Sequence, residues 1–399
     1  MKILALWAVL LAAPLSGDDL QQLIQQLDSP KLAEREAAER SLQAAGPRVL
    51  PMLPGDETPL SPETEMRIAR IKSVLQKQVA ADWSRPSRAT FEQAEMPLDK
   101  LLETLRQQTG NPVSTSQKTG KTPIAAQKLS HQTFWQTLLQ IAERHGLRIV
   151  TRAGHRSVEL APLPKETTVE ERLPIGPLLL TIHEKKGHQQ ELQIVWEPRL
   201  EPIWLKLQLD GPDGTSAGTY ELNPAFDTIS AELTVPAPST PAESGLTGSI
   251  TGLIPGPKQA FRFPLADRDK RKQNFAQVTL ELLNVRQEKE ELRLALRLRY
   301  TQTYDALESY RGWFFDNKAY LTPSKQAEEE KPPKPIKPTG METDNRTANS
   351  IDLIYRFKID GRPDDYTFTY HAPIALIRID YHFPKAKPES KTTTASREK

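Results

Sequence analysis

The sequence predicts a multidomain α+β protein: an N-terminal helical segment, a small βαββαββ domain, then a C-terminal antiparallel β-sandwich. Three observations carry that reading. Apolar residues recur at helical spacing before about residue 150 and alternate with period two after about residue 175. Proline is abundant (34) and hydrophobic residues make up only 37%, which fits a linker-containing, β-rich chain. The 399 residues accommodate two or three domains at roughly 150 residues each.

Composition narrows the function classes. Lys and Arg total 53 against 51 Asp and Glu, a net charge of +2 that implies no nucleic acid or anionic membrane as an obligatory partner. The absence of cysteine excludes disulfides, thiolate metal sites, cysteine nucleophiles and lipoprotein acylation.

The elements follow in order. Met1-Lys2 precedes an apolar run over residues 3–13, then Pro14, Ser16 and Gly17. This reads as a secretory signal, residues 1–17, cleaved near Gly17. The run is too short for a bilayer, which needs about 20 residues, and no later segment is longer, so the expected mature protein is periplasmic or secreted and not membrane-spanning.

Residues 18–82 read as helical. Leu20, Leu23, Ile24 and Leu27 share one helix face, and Ser29-Pro30 and Ser61-Pro62 each give a start signal. Leu32, Ala33, Ala37, Ala38 and Leu42 fill the second helix, with Gly46 as its stop. The segment resembles one HEAT-type repeat opening a truncated neighbour, which implies a helical hairpin rather than a long solenoid. Its intervening Glu and Arg residues read as a solvated face.

Residues 88–160 carry the most specific pattern. An alternating strand ends at Phe91, and Pro97 opens a helix with Leu98, Leu101, Leu102 and Leu105 on one face, closed by Gly110. Two short strands follow, one beginning near Val113. Ser130 is the expected cap of a second helix bearing Phe134, Trp135, Leu138, Leu139, Ile141 and Ala142, ended by Gly146. A hairpin turning at Ala153-Gly154 completes the unit. The motif residues Pro97, Leu98, Leu101, Leu102, Leu105, Thr109 and Gly110, then Trp135, Leu138, Leu139, Ile141, Gly146 and Leu147, resemble the secretin and TonB short N-terminal domain. The resemblance implies a periplasmic signalling or docking module that binds other proteins. Only 239 residues remain after Leu160, without the strand series of an outer-membrane barrel, so pore and transport functions do not carry over.

Residues 161–174 read as a linker rich in proline and charge. Residues 175–384 read as one β-sandwich domain, clearest in the alternation Leu292, Leu294, Leu296, Leu298, Tyr300 with Arg293, Arg297 and Arg299 on the other face. Residues 211–257 are weakly patterned. Residues 322–348 are expected to be a disordered loop, and residues 385–399 a disordered tail.

Signatures of chemistry are sparse. Phosphate loops, a nucleophile elbow and H-E-x-x-H are absent. His183 and His188 flank a hairpin tip and read as solvated rather than as metal ligands. Asp210, Asp213 and Gly214 mimic part of a calcium loop without its full spacing. The segment 196–204 holds Trp196 and Trp204 around two prolines and three charges, and reads as a strand connection or as an aromatic platform for sugar or peptide. The aromatic cluster at 310–316, with Trp313, is either core or a contact patch. The expected function is therefore non-catalytic and cofactor-free. It is docking to envelope proteins, with Phe91 and Val113 marking a sheet edge open to a partner strand. The alternative is binding of a carbohydrate or cell-wall polymer through Trp196, Trp204 and Trp313.

Overall fold

The computed structural model describes residues 17–54, 59–152, 154–164, 171–184, 189–210, 216–224, 227–236, 246–269, 271–308, 311–324 and 334–383. The expected secretion signal lies outside these residues up to Gly17, as do His188, Asp213, Gly214 and the tail 385–399. The chain is a mixed α+β protein, mostly antiparallel sheet with few helices. It divides into two compact units: residues up to Trp83 with Asn274–Gln277, and Ser84–Gln273 with the chain from Val278 onward.

The described residues of the first unit include three α-helices: α1 (Gly17–Gln26), α2 (Leu32–Ala44) and α3 (Pro62–Ser84). Their apolar stripes meet in a core of Leu20, Leu27, Ala38, Leu42, Ile68, Ile71 and Leu75, completed by Val49 and Leu53 from the 3-10 turn Pro47–Met52 and the residue after it. Ser61 starts α3 as expected, its Oγ accepting from Thr64 N and donating to Asp28 Oδ1 at 2.5 Å. The start of α2 differs. Ser29 Oγ accepts from Lys31 N and donates to Glu34, so the helix begins two residues beyond Pro30. The solvated charged face also needs correction. Glu39 and Arg67 are buried and paired at 2.7 Å, and Arg67 reaches Glu63 as well. A buried charge persists only where a partner satisfies it.

The second unit opens with the small α/β module. Its elements are β1 (Met96–Pro97), α4 (Leu98–Thr109), β2 (Val113–Thr115), α5 (Gln117–Gly120), β3 (Pro123–Ile124), α6 (Phe134–His145), β4 (Leu147–Thr151) and β5 (Val158–Pro162). Gly110 (φ 71°) and Gly146 (φ 62°) end the two long helices in the left-handed region that favours glycine. Residues 88–91 are not a ladder strand. Ser130 Oγ accepts from Phe91 N and donates to Phe91 O, which substitutes side-chain bonds for strand pairing. Ser130 is thereby occupied, and Thr133 caps α6 instead, in a reciprocal box with Gln136. The strands form two sheets, β1-β3 and β2-β5-β4, with β2 parallel to β5.

The remaining strands are β6 (Glu171–Ile175), β7 (Leu178–Glu184), β8 (Gln189–Trp196), β9 (Trp204–Asp210), β10 (Ser216–Leu222), β11 (Ser230–Pro236), β12 (Gly248–Pro255), β13 (Lys258–Pro264), β14 (Lys272–Phe275), β15 (Val278–Glu288), β16 (Glu291–Tyr300), β17 (Ala319–Pro323), β18 (Gly340–Arg346), β19 (Ser350–Lys358), β20 (Tyr366–Pro373) and β21 (Leu376–Phe383). They build four sheets: β11-β8-β7-β6, β10-β9-β12-β21, β13-β20-β17 and β14-β15-β16-β19-β18. The last two pack face to face. Tyr355 of β19 lies 5.9 Å from Phe368 and 6.0 Å from Tyr370 of β20, centroid to centroid, and Tyr300 OH of β16 donates to Pro373 O.

Three expectations change here. The 175–384 region is not one pair of sheets. The sheets of β13 to β20 are inserted between β12 and β21, and the β12·β21 and β13·β20 ladders are joined by Gly256 N to Ala375 O and Ile374 N to Pro257 O. The segment 161–174 is part of the sheets at both ends, in β5 and β6, with 165–170 outside the described residues. The segment 322–348 includes β18, a polar strand that satisfies its backbone by pairing along one edge with β19, and Ile336, which bridges Leu321. Residues 325–333 are outside the described set.

Candidate functional site

A groove of about 410 Å³ lies between β4 and one face of the β11-β8-β7-β6 sheet. One wall is residues 148–151 of β4. The other is set by cross-strand register. Leu179 lies opposite Val195. Arg172, Thr181, Gln193 and Glu232 form a row across all four strands, and His183 lies opposite Glu191. Leu179 and Val195 are buried, so the accessible lining is mainly polar. Gln193 Nε2 donates to Glu232 at 2.9 Å within that row.

β4 is an edge strand: β5 is its sole partner among the described residues. Leu163 N donates to Gly146 O at 2.9 Å. In an antiparallel ladder bonded pairs alternate, so Arg148·Ala161 and Val150·Glu159 are bonded pairs. The N–H and C=O groups of Ile149 and Thr151 then point off the sheet edge. Pro162 confirms the parity. It lies opposite Leu147, where the ladder asks for no N–H from β5.

The module is seated on the sheets by a buried carboxylate. Glu197, fully buried just after β8, accepts from Ser87 N (2.8 Å), Asn111 Nδ2 (3.2 Å) and Arg199 Nε (2.7 Å). Asn111 Oδ1 accepts from Arg199 N, and Arg199 Nη2 donates to Arg85 O. Trp135 Nε1 of α6 donates to Pro177 O at 2.9 Å, and Tyr381 OH to Ser84 O. Burial pushes the Tyr381 phenol up to about 12, so it stays protonated as a donor. Glu201 bridges Arg156 (2.6 Å) and Lys258 (2.8 Å). Burial raises its carboxyl, and these two cations together bring it below the usual range.

The sequence-predicted contact residues do not converge. The side chains of Phe91, Val113, Trp196 and Trp313 are buried, so none presents a surface for stacking. Trp204 is half-buried, donates to Tyr304 O and lies 5.9 Å under the Arg311 guanidinium. Val113 starts β2, the other edge of the three-stranded sheet, but its side chain faces the core. Of the metal readings, His183 and Asp210 are described, and no group of three or more potential ligands occurs among the described residues. No described helix is long and apolar enough to cross a membrane. Sequence reasoning missed Glu197 and Asn111. The available signal was a carboxylate placed between Trp196 and Pro198 at the end of an apolar strand.

No family model and no curated protein matches the chain. Among solved structures, bovine butyrophilin aligns over 50% of this chain and 92% of its own, at 7% identity and a TM-score of 0.17, too loose a superposition to argue from.

Proposed function

We propose that this chain is an exported, non-catalytic docking protein that takes up an extended peptide segment of an envelope partner along β4. The carrying observation is the free edge of Ile149 and Thr151 opening on the 410 Å³ groove. That volume lies within the range of roughly 300–1,000 Å³ typical of ligand sites. Strand addition draws affinity from main-chain hydrogen bonds and selectivity from alternate side chains. The module is read as the secretin and TonB short N-terminal type, and the sheets behind it as β-sandwiches that hold it rigid. The helical residues before Ser84 are read as a HEAT-like accessory.

The test uses Thr151→Pro in the full chain. Proline removes an outward N–H and leaves the β4–β5 ladder its donors. Peptides selected from a random display library against the wild type are measured by fluorescence anisotropy. The proposal expects affinity to fall about tenfold in the variant, the scale of one lost hydrogen bond plus steric exclusion, at an unchanged melting temperature. Failure to select any peptide, or equal binding by Thr151→Pro, would refute it.

A further inference from the structure

The outward face of the β13-β20-β17 sheet is chemically one-sided. Its three strands contain no Asp or Glu at any position. Phe261, Phe263, Phe368 and Tyr370 point inward and are buried. The opposite parity therefore faces out, in rows set by register. Ala260 lies opposite His371, whose N–H bonds Lys318 O at 2.8 Å. In the next row Thr369 is flanked by Arg262 on one side and Tyr320 on the other. Beyond it Thr367 lies between Pro264 and Thr322.

Two cations on this face lack counter-charges among the described residues. Arg262 and Lys318 are exposed and make no ion pair among the described residues. Lys258, at the corner, is held by Glu201. Burial, and then Lys318, Lys258 and Arg262, push the His371 imidazole below its ordinary value, so it is neutral at neutral pH. Tyr320 OH lies 3.4 Å from His371 Nε2, with the rings 5.7 Å apart. A half-buried aromatic pair thus sits between two unpaired cations. Neighbouring strands are about 4.8 Å apart, so the backbones of Arg262 and Tyr320 stand about 10 Å from each other across β20.

We propose that this face binds an acidic, uronate-bearing polysaccharide. The arrangement supplies what such a polymer requires. Arg262 and Lys318 meet carboxylates, Tyr320 and His371 offer ring surface and polar tips to a sugar, and Thr322 and Thr367 offer hydroxyls alongside. A row of side chains across three strands suits an extended chain better than a small molecule, which needs enclosure. An acidic peptide shares the charge but has no use for the aromatic pair. This site is separate from the β4 groove and stands or falls independently of it.

Affinity electrophoresis of the full chain through polygalacturonate, neutral dextran and poly-glutamate at low salt tests the assignment. Retardation by polygalacturonate and not by dextran is expected. Arg262→Glu and Lys318→Glu should each weaken it by about tenfold, the scale of a charge-assisted bond. Tyr320→Ala should weaken it several-fold, with melting temperatures checked so that unfolding is excluded. Acidification should strengthen binding as His371 gains its proton. Equal retardation by dextran, or indifference to the two charge reversals, would overturn the proposal. So would poly-glutamate binding as tightly with no effect of Tyr320→Ala, which would assign the face to acidic polypeptide.

Discussion

Single buried charges hold the second unit in place, and their removal should be costly. Glu197 is fully buried and satisfied by three donors, one of them Arg199, itself nearly enclosed. Glu197→Ala removes the acceptor of Arg199 Nε and one of the two acceptors of Asn111 Nδ2, so Arg199 keeps Arg85 O and Asn111 keeps Ser87 Oγ while a buried cation loses this counter-charge. The expected loss is about 3–5 kcal/mol in urea denaturation, with weaker peptide binding at β4 because the module loses its seat. Asp352 is a second case. Arg297 grips it through both nitrogens at 2.7 and 2.8 Å and so holds its carboxyl below the usual range. Its stabilising effect is therefore complete where a free aspartate is ionised and is lost as pH falls through the lowered value. Asp352→Asn should cost about 2 kcal/mol at neutral pH, and the difference from wild type should close at strongly acidic pH in a denaturation series. Spacing in the sequence puts Arg297 on the polar face of β16, but its partner is 55 residues away and appears only in the register of β16 with β19.

At the scale of the element, helices were more legible than strand ends. The stripes of α4 and α6 and their glycine stops follow from local spacing, since a helix satisfies its backbone within itself. The strand expected to end at Phe91 failed for the converse reason: a strand needs a partner, and Ser130 took the bonds. The β4 edge, the basis of the docking proposal, was likewise invisible, because edge status is a property of the whole sheet. β12 shows how tightly a central strand is specified. A Cβ at Gly248 would lie 2.1 Å from Gln208 O and 2.9 Å from the Phe383 ring. Gly248→Ala should therefore cost about 1–3 kcal/mol in chemical denaturation through this clash, whereas at Gly110, where a Cβ meets nothing within 4 Å, the cost of alanine comes from the left-handed φ of 71° alone.

For the molecule as a whole, two compact units with separate cores predict unfolding that is not two-state. Leu42 is fully buried in the first core and Phe368 in the second. Leu42→Ala should lower one calorimetric transition by about 2–5 kcal/mol of stability, and Phe368→Ala the other by about 3–5 kcal/mol. A single transition shifted alike by both variants would contradict the division. The insertion of one sheet pair between β12 and β21 makes the second unit continuous by backbone pairing. That is why a reading of 175–384 as one run of strands had the right content and the wrong grouping.

The sequence alone determined the helix faces, the strand parities and the absence of thiol chemistry, because those depend on residue identity at short spacing. Tertiary structure decided which strand keeps an open edge, which carboxylate is buried and which face lacks acids. These depend on partners tens to hundreds of residues apart, and pairing over such distances is set by global packing, not by any local pattern.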